Sequence, residues 1–413
     1  MFHSQVVVSM VPSLNKSDEV DNWVYLGEGN LNLVVAYRGD DPNYKGKVLR
    51  VIKNCKNEKL SAQDSILFKK QFSEKVIQPL LGKEYVVPMF PVHTSVEFLQ
   101  KLAFNVEPHR PAFRTDRQIV VNSPTSFLLD DLTQIWPNST AMTFELKPKW
   151  GFKPDSSSID MSNTIKKRTT CRFCMHSYLR RVPQNNFCPL DLYSIDQVRV
   201  RKAVNVLLKE NPLKKTLSVS INGKKASLTS EIDQQLFSTF IEYNDDHNTL
   251  MQDILERVLL HDPILKILKS LQMNLDEIDV EGIYSLFQRN KDYFKLVMDD
   301  INIWMDVVNR YQQRLEMENS SINELDEQKQ RIYEYILSMT FKDCSLMINV
   351  TPTVEGNNTS KIITLPNGLS FQYDIKVIDT DLKSIDKIPF WFELDQSIVR
   401  HAIETKFDKE CHQ

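Results

Sequence analysis

From Pro263 to Pro352 the chain carries no proline, and apolar residues recur there and just before at steps of three and four. One series runs Ile254, Val258, Ile264, Ile267, Leu268 and Leu271; another runs Tyr284, Phe287, Tyr293, Leu296, Ile301, Met305, Val308 and Tyr311. That spacing puts one apolar stripe on each of several amphipathic helices. It predicts helices across about 231–340, acidic residues on their solvent faces, and a break at Asn319-Ser-Ser321. The flanks read differently. Trp23–Leu26, Leu31–Tyr37 and Lys47–Lys53 are short β-branched and aromatic runs punctuated by turn residues, which suits an antiparallel meander. A helix is expected over 60–80, with strands at Tyr85–Pro88, Phe127–Asp130 and Met142–Lys147. A closing strand pair falls at Ser345–Val350 and Tyr373–Ile378, with a polar hairpin containing Asn357-Asn358 between them. Strands, then helices, then strands define an α+β chain rather than alternating βαβ units.

Charge adds a second constraint. The 413 residues hold 51 Lys+Arg against 54 Asp+Glu, a net charge of −3, which excludes a uniformly basic nucleic-acid coat. The balance hides polarity. Residues 145–215 hold 15 Lys/Arg and 6 Asp/Glu, whereas 231–329 hold 9 and 21. A basic block inside a neutral chain is a local site for a polyanion or a solvated loop region. No run of about 18–20 apolar residues offers a membrane span, and the first residues lack the basic and apolar regions of a signal peptide. Six cysteines in this length are not a disulfide framework, so reduced thiols are expected.

Several short motifs could carry chemistry. Leu26-Gly27-Glu28-Gly29-Asn30-Leu31-Asn32-Leu33-Val34 places two of only 10 glycines in one strand-to-strand turn. Such a turn either cradles nucleotide phosphates with backbone N–H groups or is a plain hairpin. Downstream, Arg50 lies inside an apolar strand and calls for an anionic partner. Glu145, Lys147 and Lys149 alternate along Glu145-Leu-Lys-Pro-Lys-Trp-Gly151 and would share a strand face. Cys171, Cys174, His176 and Cys188 invite a zinc reading, but His176 follows Cys174 too closely for usual spacings, and buried core thiols are favoured. Asp343 precedes one late strand, and Asp379-Thr-Asp381-Leu-Lys383 follows its partner. Those carboxylates could converge, one to orient an attacking hydroxyl and another to hold Mg²⁺.

Together these segments resemble the inositol-pentakisphosphate 2-kinase family. The resemblance runs in order through Gly27–Val34, Val48-Leu-Arg50, Glu145–Gly151, Arg172-Phe-Cys-Met-His176, Cys188–Ser194, Asp343–Ile348 and Asp379–Lys383. It implies ATP-dependent phosphorylation of the 2-hydroxyl of inositol pentakisphosphate, giving the hexakisphosphate. It also implies a two-lobed fold distantly like protein kinases. Residues 1–130 would form an N-lobe, mainly antiparallel strands with the nucleotide phosphate loop. Residues 131–413 would form a C-lobe with the basic substrate block (145–215), a large acidic helical insertion (231–340) and the catalytic strand pair (341–390).

By position, the resemblance assigns Asp343 and Lys147 to catalysis, and Gly27, Gly29, Asn30, Asn32, Arg50 and Glu145 to ATP, with an adenine hinge near Asp131. Lys147, Lys149, Arg180, Lys383, Lys387 and Arg114 would hold inositol phosphates, with Arg110 the alternative to Arg114. Asp379 and Asp381 would hold Mg²⁺. The competing classes are a non-catalytic inositol-phosphate or RNA binding module and an inositol polyphosphate kinase acting at another hydroxyl.

Departures from the family are specific. The plant members' zinc site in the helical region has no counterpart, since no cysteine lies between Cys188 and Cys344. Ser177 stands where many members have glutamine. The stretch Asn211–Gly223 is long, so the family's substrate asparagines cannot be placed. The resemblance suggests a monomer acting in nucleus and cytoplasm, without membrane or nucleic-acid partners. Lys166-Lys167-Arg168 is either a short import signal or a substrate-facing loop.

Overall fold

The computed structural model describes residues 13–15, 17–55, 66–136, 139–182, 187–209, 216–226, 231–241, 246–290, 300–316, 324–353 and 361–413. The chain divides into two units: Met1–Lys70 with Val87–Pro137, and Gln71–Val86 with Asn138–Gln413. The division therefore falls at Pro137 rather than 130, and the segment Gln71–Val86 groups with the later residues.

The first unit is built on one sheet. Its strands are β1 (Ser13–Leu14), β2 (Trp23–Glu28), β3 (Asn32–Tyr37), β4 (Lys47–Cys55), β5 (Phe90–Thr94), β6 (Arg117–Ile119) and β7 (Thr125–Asp130), in the order β1-β5-β7-β4-β3-β2 with β6 on β4. β2, β3 and β4 form the expected antiparallel meander. Alternation along them turns Trp23, Leu33, Val35, Leu49 and Val51 inward, where they meet Phe98, Leu99 and Leu102 of the helix Val96–Val106. That helix starts cleanly because Ser95 Oγ caps the Phe98 N–H at 3.1 Å.

The strand expected at Tyr85–Pro88 is a correction. Lys83–Tyr85 is a 3₁₀ turn, and only Val86 makes an isolated bridge, to Val377. Tyr85 is held by its hydroxyl, which donates to Asp262 at 2.8 Å. The strand in this region is Phe90–Thr94, obscured in sequence by Pro91.

The second unit carries β8 (Met142–Leu146), β9 (Leu217–Ile221), β10 (Lys224–Ala226), β11 (Ser345–Pro352), β12 (Ile362–Thr364) and β13 (Ser370–Ile378), in the order β10-β9-β8-β11-β13-β12 and antiparallel throughout. β11 is buried along nearly its whole length, with Leu346, Met347, Ile348 and Val350 in the core beside the buried polar Ser345, Asn349 and Thr351. Helices occupy Glu231–Ser238, His247–His261, Ile264–Asn274, Asp279–Asn290, Ile301–Glu316 and Glu324–Lys342, as the periodicity predicts. The break at Asn319–Ser321, the hairpin at Asn357-Asn358, and Tyr293 and Leu296 lie outside the described residues.

The acidic helices do not keep all their carboxylates in water. Glu256, Asp262, Asp276, Asp279, Glu281 and Glu334 are buried. They are paired largely by cations. Lys167 Nζ lies 2.7 Å from Asp279, 2.8 Å from Glu281 and 2.7 Å from Asp395. Arg201 bridges Asp253 and Glu256, both at 2.7 Å. Two cations of the basic block, Lys167 and Arg201, thus neutralise carboxylates of the acidic one, because a buried carboxylate is tolerated only with a partner. The Lys166-Lys167-Arg168 stretch lies within the helix Met161–Thr169 with Lys167 buried, so it is neither a loop nor an exposed linear signal.

Candidate functional site

Three strand ends bring chemistry together in the second unit. β8 and β11 run antiparallel with Leu146 opposite Leu346, and β11 pairs Ser345 with Ile378 of β13. Lys147, Ser345 and Asp379 are therefore neighbours at one end of the sheet. Lys147 Nζ donates to Ser345 Oγ at 2.8 Å and meets Asp379 Oδ2 at 3.3 Å. Ser345 Oγ also reaches Asp379 Oδ2, at 3.4 Å. Asp343, just ahead of β11, accepts from Lys383 Nζ at 3.1 Å. The carboxylates stay available: the side chains of Asp343 and Asp379 are 64% and 55% exposed.

The residue Lys149 does not continue the strand alternation expected of Glu145, Lys147 and Lys149. β8 ends at Leu146, and Lys149 takes a left-handed backbone with φ of 63°. Asp379 does the same, also at 63°. Non-glycine residues held there are strained, and such strain collects where function fixes a side chain's direction. Burial lowers the Lys149 ammonium pKa, and Lys147 adds to that, while Asp343 and Asp379 oppose it.

A polar hub that the sequence does not advertise holds this loop. Gln272, on the helix Ile264–Asn274, is fully buried. Its Nε2 donates to the carbonyls of Lys149 and Phe341, both at 3.0 Å, and its Oε1 accepts from Gly151 N at 2.7 Å. Tyr193 Oη donates to the Lys149 carbonyl at 3.1 Å. Its ring leaves no room beside Gly151, where a Cβ would lie 2.7 Å from ring carbons. Gly151→Ala should therefore destabilise the chain by about 1–3 kcal/mol through overpacking, which denaturant unfolding checks.

His176, weighed in the sequence as a zinc ligand, has a different setting in the structure. It is half-buried on the helix Arg172–Leu179, and its pKa falls to about 4 through burial and through Arg172, Arg180 and Lys149. Arg180 and Lys149 thus share one electropositive neighbourhood around it. Between pH 6.5, the ordinary histidine value, and about 4, the unfolded chain takes up a proton that the folded chain refuses. Stability from this source is complete above that window and is lost as pH falls through it. His176→Asn should flatten that part of the Tm-versus-pH curve, measured by thermal unfolding from pH 4.5 to 7.5.

Other expected site residues of this unit lie as follows. Glu145, half-buried on β8, accepts from Ser218 Oγ at 3.4 Å. The Asp381 carbonyl accepts from Thr340 Oγ1 at 3.4 Å. Lys387 is exposed at the last residue of the turn Ile385–Lys387.

The glycine-containing turn belongs to the first unit. Gly29 N donates to Asn32 O at 2.9 Å, closing the turn between β2 and β3. A Cβ at Gly27 or Gly29 would meet nothing within 4 Å. The fold itself does not demand glycine there, which leaves close approach of a ligand as a reason for it. Asn30 accepts a hydrogen bond from Arg114, which is partly exposed. Arg50 is half-buried on β4, between Val34 and Phe127.

The deeply buried cation of β4 is not Arg50 but Lys53, paired with Glu28. Arg110 grips the same Glu28 from 3.0 and 3.1 Å. Burial pushes the Glu28 carboxyl up, but the hydrogen bonds from Arg110 and Lys53 outweigh it and hold the pKa below its usual value. Arg110 is thereby committed to the fold, and Arg114 is the arginine left nearer the surface. The Asp131 carboxylate is buried and accepts from Arg38 at 3.1 Å and from Thr133 at 3.0 and 2.6 Å; its N–H donates to the Gly46 carbonyl and its own carbonyl accepts from Gln134 N.

The suggested set Cys171, Cys174, His176 and Cys188 is also altered. The sulfurs of Cys171, Cys174 and Cys188 gather with that of Cys411, and His176 is not in the group.

Open carboxylates set among fixed cations are what a phosphotransferase needs for a phosphorylated acceptor. The chain belongs to the inositol-pentakisphosphate 2-kinase family, whose model matches residues 25–397. It is similar to the inositol-pentakisphosphate 2-kinase of Arabidopsis thaliana, at 28% identity over 92% of this chain and 93% of that protein. It is likewise similar to the enzymes of that name from Danio rerio, at 26% over 95% of each, and Cryptococcus neoformans, at 28% over 98% of each.

Proposed function

We propose that the chain transfers the γ-phosphoryl group of ATP to the 2-hydroxyl of inositol 1,3,4,5,6-pentakisphosphate, giving the hexakisphosphate. The observation that carries this is the exposed Asp343 carboxylate beside Lys383, with Lys147 and Lys149 in the same cluster. Five phosphates on one ring need several fixed cations, and Lys147, Lys149, Arg180 and Lys383 supply them, with Lys387 and Arg114 as further contacts. Asp343 orients the attacking hydroxyl and accepts its proton, and Lys147 steadies the developing charge.

Gly27, Gly29, Asn30, Asn32, Arg50 and Glu145 are assigned to ATP. Asp379 and Asp381 are hard oxygen donors two residues apart, which fits a Mg²⁺ held by one or two carboxylates plus nucleotide phosphates. Bound there, the ion would neutralise phosphate charge. In this reading the two units are the lobes of a fold distantly like protein kinases, acting as a monomer in nucleus and cytoplasm.

The test is positional. Purified chain with Mg-ATP and the pentakisphosphate should yield the hexakisphosphate, identified by ³¹P NMR. Phosphorylation of a different hydroxyl on a less phosphorylated inositol, with none at the 2-position, would refute the assignment.

A further inference from the structure

We propose that Trp150 is a positioning residue, which ties the loop bearing Lys149 to the segment bearing Asp343 through two cations held over its ring. On the phosphotransfer reading above, on which this rests, Lys149 holds a substrate phosphate and Asp343 takes the proton of the attacking hydroxyl. Lys342 Nζ stands 4.3 Å from the Trp150 ring centroid, and the Arg172 guanidinium carbon stands 4.7 Å from it. Trp150 directly follows Lys149 in the chain, and Lys342 directly precedes Asp343. One contact between ring and ammonium thus couples the immediate neighbours of a substrate cation and of the proton acceptor. Arg172 opens the helix Arg172–Leu179, which leads into Arg180, so a third site segment meets the others at this ring.

Each cation is itself fixed by a buried carboxylate. Lys342 Nζ lies 2.5 Å from Asp276 Oδ2 and 3.0 Å from Ser338 Oγ. Arg172 Nε donates to Asp395 Oδ1 at 3.3 Å. Phe152 stacks on Trp150, with centroids 6.0 Å apart and planes at 10°. With Tyr335 it completes an aromatic cage, their ring centroids 5.3 and 5.0 Å from the Lys342 ammonium. A cation over an aromatic face is attracted by the ring quadrupole, more strongly where water is excluded. Two cations at one ring also repel each other, and taking each out of water is costly. Plain apolar packing would hold a core without that cost. What the cage adds is direction, because a flat ring against two anchored charges fixes side chains on three segments at once. Gln272 holds the carbonyls of Lys149 and Phe341, and the Trp150 cage is the side-chain counterpart of that backbone tie.

Placement of this kind matters to the rate, since a displacement of about 1 Å can cost about 10²-fold. Trp150→Leu keeps apolar bulk but removes the aromatic face, so turnover of the pentakisphosphate should fall about 10–100-fold. Trp150→Phe keeps a face for both cations and should retain most of it. Hydrogen exchange of the full chain, read by mass spectrometry, should quicken in Trp150→Leu in two peptides together, 146–152 and 341–346. A second variant separates folding from positioning. Lys342→Met with Asp276→Leu replaces the buried ion pair by apolar bulk, a change that leaves stability near the parent's, yet it should lower turnover by a similar factor. Full turnover in Trp150→Leu, full turnover in the stable double variant, or faster exchange confined to 146–152 would overturn the proposal. A parent chain inactive on the pentakisphosphate would refute the function proposed above, and the paired exchange response would still decide whether Trp150 ties the two segments together.

Discussion

Asp343→Asn should lower turnover of the pentakisphosphate by about 10²–10⁴-fold, the range that a positioned general base supplies, with little change in Tm. Asparagine keeps the shape and can still accept from Lys383, so the local structure has little reason to move. It loses the capacity to take the proton of the attacking hydroxyl. The position is set from behind: Asp343 N donates to Thr340 O at 3.2 Å, and the preceding Lys342 is buried, 2.5 Å from Asp276 and with its ammonium 4.3 Å from the Trp150 ring centroid. Those anchors are untouched by the substitution, and the 64% exposure of the Asp343 side chain leaves little packing to lose. Product formation followed by chromatography, beside differential scanning fluorimetry, separates the two readouts. Unchanged turnover would remove Asp343 from the chemistry.

The largest stability effect should come from Lys167→Met. Its ammonium stands among Asp279, Glu281 and Asp395, all buried. Those three carboxylates have the spacing of a cation site, and the lysine is the cation. Removing it leaves buried negative charges facing one another, at a cost of about 3–5 kcal/mol. The pH dependence gives the loss a signature. Burial already pushes the Asp279 carboxyl up to about 7 despite the attraction of Lys167. Without the ammonium, the folded-state Asp279 carboxyl shifts further above its unfolded value. The folded variant then holds protons that the unfolded chain has released, so its stability falls as pH rises. The Tm gap between variant and parent should therefore widen from pH 6 to pH 8, and a constant gap would contradict the account.

The helical region and most of the strands were legible because each has a clear period: three and four for the helices, two for β2, β3 and β13. The stretch Leu217–Ala226 was passed over although Asn222-Gly223 is a hairpin signal; both residues adopt positive φ there, 49° and 75°. In the candidate site, Asp343, Asp379, Lys147, Lys149 and Lys383 were readable because their motifs sit at strand ends, where loops carry chemistry. Gln272 was not, because nothing local distinguishes a glutamine on an amphipathic helix that becomes a buried hub. Cys411 was missed for a similar reason, since its partners are remote in sequence. The choice between Arg110 and Arg114 stayed open because charge in sequence does not reveal whether a partner already holds it, as Glu28 holds Arg110.

The sheet that carries the site also sets a timetable for making the protein. β8 pairs on one side with β9, and its other neighbour is β11, with Thr143 and Asn349 joined across 206 residues of chain. At ribosomal speeds of about 5–20 residues per second, the open edge of β8 waits about 10–40 seconds for its partner. Lys147 and Asp379, 232 residues apart, meet later still. A nascent chain therefore displays an apolar strand edge long before it can hold substrate, and its yield in cells should depend on what shields that edge in the interval.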